Sequence, residues 1–509
     1  MRLTPALAAT TLLLTACGTS TSTPTGDPMT PFHAQTPDWT PCPSPSAPPG
    51  FLCTTIKVPL DHSAPDGDSL GLFVTRRPAT DPASRIGALF VNPGGPGSPA
   101  APYAYGAPET FSPEVAARYD LVAVDPRGVG GSNPLPPCLD QKAMDAYTAI
   151  DTTPDDAVEA DRLRASARAF AEACGRNKKA GRLLPHTGTL DVARDMDIVR
   201  RVLGEEKLHY FGLSYGTLIG QVYAEQFPAA VGRMVLDSNV DPALPLGSLL
   251  AQQSASIESA FTRYLTSCSS RPTCTLPRKP ADAWKKIDRL LSDLDAQPVP
   301  ALPGRTLTES DARLAAMAVT YAPSVWPMFD GALAQALRGD GAQLQMLADA
   351  TNGRRPDGSY SADASPAHLA INCADHTEFR TPEQFAAAAQ EARKEAPHFG
   401  PANVNSSLPC AFWPAPASAK AHSITAPDTP TLLVIGNTDD QATPVQWSRA
   451  VAARLADARL VTNDASGHGA YHRKAGPCLI RAVDAHLLSG TAPKSPTTTC
   501  PAPSVKARP

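Results

Sequence analysis

The sequence predicts an α/β fold with a mostly parallel central sheet and an inserted helical domain, and three observations support this prediction. Apolar segments with strand character alternate with helical patterns in the first half of the chain and again near its C-terminus. Strand patterns fade between residues 241 and 426, where helical patterns prevail. One strand also passes directly into a helix through residues 212–216, which are Gly-Leu-Ser-Tyr-Gly. A chain of 509 residues is long enough for a large core with such an insertion.

The N-terminus has the pattern of a bacterial lipoprotein signal. Arg2 precedes an apolar run, residues 6–14, that is too short to span a bilayer, and small residues then precede Cys17. We expect residues 1–16 to be a signal peptide and Cys17 to be lipidated, which would anchor the protein on the extracellular face of the membrane. The alternative is an ordinary cleavage site and a secreted protein. Residues 17–38 are rich in Ser, Thr and Pro at their start and are expected to form a flexible linker.

The first part of the core is predicted to extend from residue 39 to residue 240. Two hairpin-like strands come first, and strand–helix alternation follows, which favours a parallel sheet. The expected strands are 54–60, 70–77, 87–91, 119–125, the strand that leads to residue 212, and 233–237, and the expected helices are 157–174, 189–203 and 218–227.

Residues 241–426 are predicted to form a helical lid inserted between strands of the sheet. Mainly helical segments alternate there with proline-rich pieces. The second part of the core, residues 427–502, is expected to contain strands 430–436 and 459–462 and helices 445–455 and 477–488.

Ser214 is the candidate nucleophile. Gly212 and Gly216 satisfy the need for small residues beside a serine that sits on a strained turn, and the following helix directs the amide of Tyr215 at a developing oxyanion. The same Gly-x-Ser-x-Gly pattern occurs around Ser69. That serine falls in a polar turn between two strands, so we expect it to lie in a hairpin loop without a catalytic role.

An acid and a base that could activate the serine follow it in the chain. Asp440 comes just after strand 430–436 and His468 just after strand 459–462, which is the order Ser, Asp, His found after such a serine turn. Asp439 is the competing acid and His472 the competing base. Each candidate alone could be an ordinary surface loop residue.

A glycine-rich loop after strand 87–91 is the candidate for the second half of the oxyanion hole. It contains Gly94 and Gly95, whose backbone could approach a substrate oxygen closely. The alternative is a glycine–proline turn that binds nothing. Residues 125–132, which follow the next strand, are expected to support this loop.

The remaining composition indicates an exported protein without metal or cofactor. The chain has eleven cysteines, and ten remain when Cys17 is set aside. An even number suggests disulfide bonds formed in an oxidising compartment. No Cys-x-x-Cys or His-Glu-x-x-His spacing occurs, so no metal site is predicted. A net charge of −4 provides no basis for nucleic-acid binding. Pairing of neighbours in chain order is predicted: Cys42 with Cys53, Cys138 with Cys174, Cys268 with Cys274, Cys373 with Cys410, and Cys478 with Cys500.

Several motifs in order resemble those of the tripeptidyl aminopeptidases, which are exported serine peptidases of actinobacteria with the α/β-hydrolase fold, related to prolyl aminopeptidases. The resemblance extends from Trp39 to Cys500, and its motifs are Asn-Pro-Gly-Gly-Pro-Gly, Asp-x-Arg-Gly-x-Gly-x-Ser, Gly-x-Ser-Tyr-Gly-Thr, Val-Leu-Asp, Asp-x-Ala-Thr-Pro and Gly-His-Gly. It implies that Ser214 is the nucleophile, Asp440 the acid and His468 the base, with Gly94 or Gly95 and Tyr215 at the oxyanion. This chain departs from the family at Gln441, where Pro is frequent.

The resemblance implies an exopeptidase that releases short peptides, such as tripeptides, from free N-termini. We expect a monomer that acts on peptides. Recognition of a free ammonium requires a carboxylate in the lid, and Asp375 is the candidate. The alternative for Asp375 is a helix cap or an ordinary salt bridge. The competing functions are a carboxylesterase or lipase with the same triad, and a lipoprotein that binds peptides on an inactive hydrolase scaffold.

Overall fold

One mixed sheet organises the structure, a computed structural model that describes residues 27–321, 323–361 and 366–502. Within this part of the chain the sheet has ten strands in the order β1-β2-β3-β5-β4-β6-β7-β10-β11-β12. The strands are β1 (Thr40–Pro41), β2 (Leu52–Pro59), β3 (Ser69–Arg77), β4 (Gly87–Asn92), β5 (Tyr119–Val124), β6 (Leu208–Leu213), β7 (Val231–Asp237), β8 (Val299–Pro300), β9 (Thr306–Leu307), β10 (Leu432–Asp439), β11 (Ala458–Ser466) and β12 (Thr497–Cys500); β8 and β9 pair separately.

The helices pack on both faces of the sheet and above one of its edges. They are α1 (Thr30–His33), α2 (Ala100–Thr110), α3 (Pro113–Arg118), α4 (Gln141–Thr148), α5 (Ala157–Arg176), α6 (Lys178–Leu183), α7 (Thr189–Val202), α8 (Tyr215–Gln226), α9 (Leu246–Ser267), α10 (Pro280–Ala296), α11 (Glu309–Ala318), α12 (Trp326–Ala336), α13 (Ala342–Thr351), α14 (Ala367–Asp375), α15 (Pro382–Glu395), α16 (Gly400–Asn405), α17 (Val445–Arg454) and α18 (Pro477–Ser489).

In the order of the sheet, the seven strands β5-β4-β6-β7-β10-β11-β12 run parallel, and the pairs that precede them are antiparallel. β1 with β2, β2 with β3, and β3 with β5 form antiparallel ladders, whereas β4, β6, β7, β10 and β11 join neighbours in the same direction. The carboxyl ends of parallel strands meet at one edge, so the loops after β4, β6, β7, β10 and β11 come together there. This confirms the predicted fold class and its mostly parallel sheet.

Both faces of the sheet are buried, which explains its continuous apolar strands. In β6, Leu208 and Tyr210 pack into one core with α5, α7 and α8, while Phe211 packs into the opposite core with α2, α3 and α18. Because successive side chains of a strand point to opposite faces, β6 contributes to both cores. β6 lies between β4 and β7, so the residue that follows it is held from two sides.

The elements between β7 and β10 fall into two groups. The helices α9 to α13 form a core of their own around Phe261, Tyr264 and Phe329. In contrast, α14 and α15 pack through Ile371 and Phe385 into the core of the sheet. The first group therefore forms a helical layer with a core of its own, which joins the sheet core through Leu246 and Leu250 at the start of α9.

The predicted signal peptide and Cys17 lie outside the described residues. Of the segment predicted as a linker, residues 27–38 are described, and they include α1, whose Phe32 is 9% exposed and packs in the sheet core. Gln35 also accepts a hydrogen bond from the backbone N–H of Lys57 at 2.8 Å. No helix in the described ranges has the length and apolarity needed to cross a membrane.

Five disulfides confirm the pairing predicted from chain order. The structure joins Cys42 to Cys53, Cys138 to Cys174, Cys268 to Cys274, Cys373 to Cys410, and Cys478 to Cys500. Each bridge connects segments that are close in sequence, and the largest separation is 37 residues. Such bridges persist in oxidising compartments, so they indicate an exported protein.

Candidate active site

Ser214 occupies a strained turn between β6 and α8. Its backbone has φ 58° and ψ −128°, a conformation that L-residues rarely adopt. Its N–H donates to the Asp237 carbonyl at 2.9 Å, which fixes the turn to β7. A Cβ on Gly216 would lie only 2.7 Å from the Asn92 carbonyl oxygen, and a Cβ on Gly212 would collide with the backbone of Gly216. The two glycines are therefore required by close packing, as the motif predicts.

Asp440 and His468 form a hydrogen-bonded acid–base pair. The His468 Nδ1 lies 3.0 Å from both carboxylate oxygens of Asp440. Because an ionised carboxylate only accepts, Nδ1 carries the proton and Nε2 is left to accept one. The Asp440 carboxylate is itself held by the N–H groups of Ala442 and Thr443, each at 2.9 Å, and by the Thr443 hydroxyl at 3.1 Å.

The pair has opposite pKa shifts. Burial alone would lower the pKa of His468, but the charge and hydrogen bond of Asp440 outweigh it, and the net shift is upward. Burial would raise the pKa of Asp440, but the charge of His468 and the bonds from Thr443 outweigh that effect, and the net shift is downward. Asp440 is therefore ionised across the neutral range, and it stabilises the imidazolium form of His468.

The competing acid and base have other partners. Asp439 accepts from the Ser466 hydroxyl at 3.2 Å and lies 3.7 Å from Arg263. His472 accepts from the backbone N–H of Lys474 at 3.2 Å. Within the described part of the chain, Asp439 is not hydrogen-bonded to His468 and His472 is not hydrogen-bonded to Asp440, so the geometry favours Asp440 over Asp439 and His468 over His472.

Asp237, at the end of β7, connects the loop of the base to the turn of the nucleophile. Its carboxylate accepts the N–H groups of Ala470 at 2.9 Å and Tyr471 at 2.9 Å, while its carbonyl accepts the Ser214 N–H. The hydroxyl of Ser238 next to it accepts the Gly469 N–H at 3.1 Å. Burial raises the pKa of Asp237 to about 6.

The glycine-rich loop after β4 lies against the turn of the nucleophile. A Cβ on Gly94 would lie 2.7 Å from the Tyr215 backbone nitrogen and 3.0 Å from the Ser214 Cβ. The Gly94 N–H is already donated to the Asn92 side chain at 2.9 Å, whereas Gly95 is exposed. Gly95 and Tyr215 are therefore better placed than Gly94 to offer N–H groups to an oxyanion.

Residues 125–132 support this loop from the neighbouring strand. The Asp125 carboxylate accepts the N–H of Ala101, in the first turn of the helix that follows the loop, at 2.9 Å. It also accepts the N–H of Gly131 at 2.8 Å. This carboxylate therefore joins the two loops that flank β4 and β5.

Asp375, the candidate for ammonium recognition, lies beneath Tyr215. It accepts the N–H of Thr189 at 2.8 Å and the Thr189 hydroxyl at 2.5 Å. The Thr189 hydroxyl oxygen lies 2.5 Å from the Tyr215 hydroxyl and, since it donates to Asp375, accepts from Tyr215. Burial raises the pKa of Asp375. Both carboxylate oxygens are thus occupied in a network that supports the start of α8.

Two acidic clusters have carboxylates close enough together for a cation, but their members have other roles. Asp151, Asp295 and Glu309 form one, and Asp155, Asp156 and Glu159 form the other. Glu309 is bonded to Arg313 and Thr153, and Asp156 caps α5.

Three residues at this edge were missed by the sequence analysis. Tyr321, in the turn after α11, is 46% exposed, and its ring centre lies 6.2 Å from that of His468. His368, in the first turn of α14, contacts the glycine-rich loop through Nδ1, 3.1 Å from the Pro96 carbonyl. Asp237 alone had a signal in the sequence, because an acidic residue ends the apolar run Val-Leu-Asp beside the strand of the nucleophile.

The chain is similar to known hydrolases over most of its length. A family model described as alpha/beta hydrolase fold matches residues 87–475. Serine protease Hip1 of Mycobacterium tuberculosis (strain H37Rv) is 34% identical over 476 residues, which covers 90% of each chain. Carboxylesterase B of the same strain is 33% identical over 450 residues, covering 87% of this chain and 85% of the relative.

A tripeptidyl aminopeptidase of Streptomyces coelicolor is 29% identical over 467 residues, covering 89% of this chain and 84% of the relative. The resemblance inferred from the motifs is confirmed by this similarity.

We expect Asp440→Asn to lower kcat/KM for a p-nitrophenyl ester about 10⁴-fold, because an amide neither fixes the tautomer of His468 nor stabilises its protonated form. Asp439→Asn is the matched control and should retain activity. In the unmodified protein, kcat/KM should fall as the pH drops through a value above 6.5, since only neutral His468 accepts a proton. A larger loss in the Asp439 variant would assign the acid to Asp439.

We expect Asp237→Asn to lower kcat about tenfold to a hundredfold, because one of the two N–H groups of the His468 loop loses its acceptor and the base shifts. The negative charge of Asp237 also raises the pKa of His468, so the acidic limb of kcat/KM should move to lower pH. Asp464→Asn, at an exposed position near the end of β11, is the control. If the Asn variant were less stable but kept the pH dependence of kcat/KM, the role of Asp237 would be purely structural.

Proposed function

The chain belongs to the alpha/beta hydrolase fold family, and on that premise we propose that it is an exported serine peptidase that releases short peptides from free N-termini. The observation that carries the proposal is the hydrogen-bonded Asp440–His468 pair, at the sheet edge where Ser214 also lies. This arrangement is suited to acyl transfer from a peptide bond.

The chemistry follows from the geometry of the site. His468 Nε2 takes the proton of Ser214 as the hydroxyl oxygen attacks the scissile carbonyl, and Asp440 holds the resulting imidazolium. The N–H groups of Tyr215 and Gly95 bind the oxyanion. His468 then gives its proton to the departing amine, and water, activated by the same histidine, releases the acyl group from Ser214.

The relatives support a peptide as substrate. Two of the three similar proteins are named a serine protease and a tripeptidyl aminopeptidase, and the first is similar over 90% of this chain. The third is named a carboxylesterase, at nearly the same identity as the protease. The same triad hydrolyses esters, so carboxylester hydrolysis is the second candidate function.

Release of short peptides requires a site that limits how far the substrate extends on the amino side. The helical layer of α9 to α13 is placed for this purpose, because its residue Tyr321 reaches His468. Asp375 accepts two hydrogen bonds from Thr189, whose hydroxyl in turn accepts from Tyr215. We therefore assign Asp375 to the support of Tyr215 rather than to the ammonium.

We also propose that the mature protein is attached to the membrane through a lipid on Cys17. The proposal rests on the small residues before Cys17 and on the five disulfides, which are typical of exported proteins. With the active-site domain outside the cytoplasm, its substrates would be peptides of the envelope or the surroundings, and we expect it to act on them as a monomer.

We expect the mature protein to cleave a tripeptide p-nitroanilide with a free N-terminus at least about a hundredfold faster than the acetylated peptide, because a buried ammonium binds only where a counter-charge is present. Ser214→Ala is the control and should abolish the cleavage. Hydrolysis of a p-nitrophenyl ester without cleavage of either peptide would replace the peptidase by the esterase. Equal cleavage of both peptides would remove the requirement for a free N-terminus.

We expect the full chain, expressed in a bacterium that processes lipoproteins, to partition with membranes, and Cys17→Ser to shift it to the soluble fraction. Thr19→Ser, two residues further on, is the matched control and should leave the partition unchanged. Metabolic labelling with a fatty acid should follow the same pattern. Unlabelled wild-type protein in the medium would contradict the anchor and indicate ordinary secretion.

A further inference from the structure

A cavity of about 370 Å³ lies beside the glycine-rich loop of the candidate active site. His368 belongs to its wall and also contacts the loop: its Nδ1 donates to the Pro96 carbonyl at 3.1 Å, and its Nε2 lies 3.1 Å from the Asn372 amide nitrogen. Nδ1 of His368 therefore carries the proton, and Nε2 accepts from the Asn372 amide. The cavity therefore adjoins the glycine-rich loop through His368.

The walls of this cavity are mainly apolar. One wall is formed by Leu163, Ala167 and Phe170, which share a face of α5, and Phe170 stacks on Tyr147 with ring centres 4.6 Å apart. The described lining residues include no carboxylate. Their one cation, Arg313, is paired with Glu309. A site of this composition suits an uncharged apolar group.

The opposite wall connects the cavity to the base. Leu314 and Met317 line the cavity, and Tyr321 contacts the His468 ring. These residues have the spacing i, i+3 and i+7, which places them along one side of α11 and the turn after it. The side formed by Leu314, Met317 and Tyr321, here called the α11 face, thus lies along the site from the cavity to His468.

The position of the cavity indicates which part of the substrate it would bind. The leaving group must lie beside His468, since His468 gives it a proton, and Tyr321, whose ring contacts His468, is not part of the cavity wall. The cavity instead contacts the site through the loop that binds the oxyanion. The group it receives is consequently on the acyl side of the scissile bond.

We propose that this cavity binds a large apolar side chain of the residue that supplies the scissile carbonyl, and that Met317 determines this preference. The inference rests on the proposed peptidase function and specifies its substrates as peptides with residues such as Leu at that position. The same cavity would accept the acyl chain of an ester.

The test compares two peptide p-nitroanilides that differ only in Leu or Ala before the scissile bond, together with p-nitrophenyl butyrate and acetate. The unmodified protein should prefer Leu to Ala and butyrate to acetate. Met317→Trp fills the cavity and should lower kcat/KM for the Leu peptide about tenfold to a hundredfold more than for the Ala peptide. Met346→Trp, on the exposed surface of α13, is the matched control and should keep the preference.

Labelling of Ser214 by a small fluorophosphonate establishes that each variant is folded. Met317→Ala is a second variant: it enlarges the cavity and should increase cleavage of a peptide with Trp before the scissile bond. Equal effects of Met317→Trp on both peptides and both esters would overturn the proposal. If neither peptide is cleaved, the peptidase function fails while the ester pair still decides the subsite. Hydrolysis of no substrate would overturn both.

Discussion

The buried carboxylate of Asp237 is the constraint on which the geometry of the site depends. Nucleophile, acid and base lie on three separate loops, after β6, β10 and β11, and each loop alone could adopt many conformations. Asp237 holds the base loop through two backbone N–H groups and the turn of Ser214 through its own carbonyl. A fully buried carboxylate is costly unless such donors satisfy it, so the site and the strand end stabilise each other.

The parts of the site that sequence patterns predicted are those that depend on local spacing. Gly212 is required by a contact with Gly216 within the turn, whereas Gly216 packs against the distant Asn92, and the acid and base each follow an apolar strand. The disulfides could be predicted because neighbouring cysteines pair within one structural region. Except at Gly216, where the contact is with Asn92, the chain neighbours that create the requirement are visible in the sequence.

The remaining residues depend on contacts between distant segments. His368 contacts Pro96 across 272 positions, and Tyr321 reaches His468 only because the layer of α9 to α13 folds over the sheet edge. Asp375 is a related case: an acidic residue in a predicted lid suggests substrate binding, and in the fold its carboxylate accepts hydrogen bonds from Thr189. Which of several lid carboxylates faces a ligand is determined by helix packing, and no spacing rule encodes that packing.

The choice between peptide and ester cleavage depends on how the leaving group departs. An alkoxide from an activated ester leaves readily, whereas an amine must receive a proton before the carbon–nitrogen bond breaks. Asp440 and Asp237 both raise the pKa of His468 through their negative charges, so the imidazolium formed during attack is retained until it can act as the acid. A more basic imidazole takes the proton of Ser214 more readily but gives it to the amine less readily, so the charges of Asp440 and Asp237 influence amide cleavage more than ester cleavage.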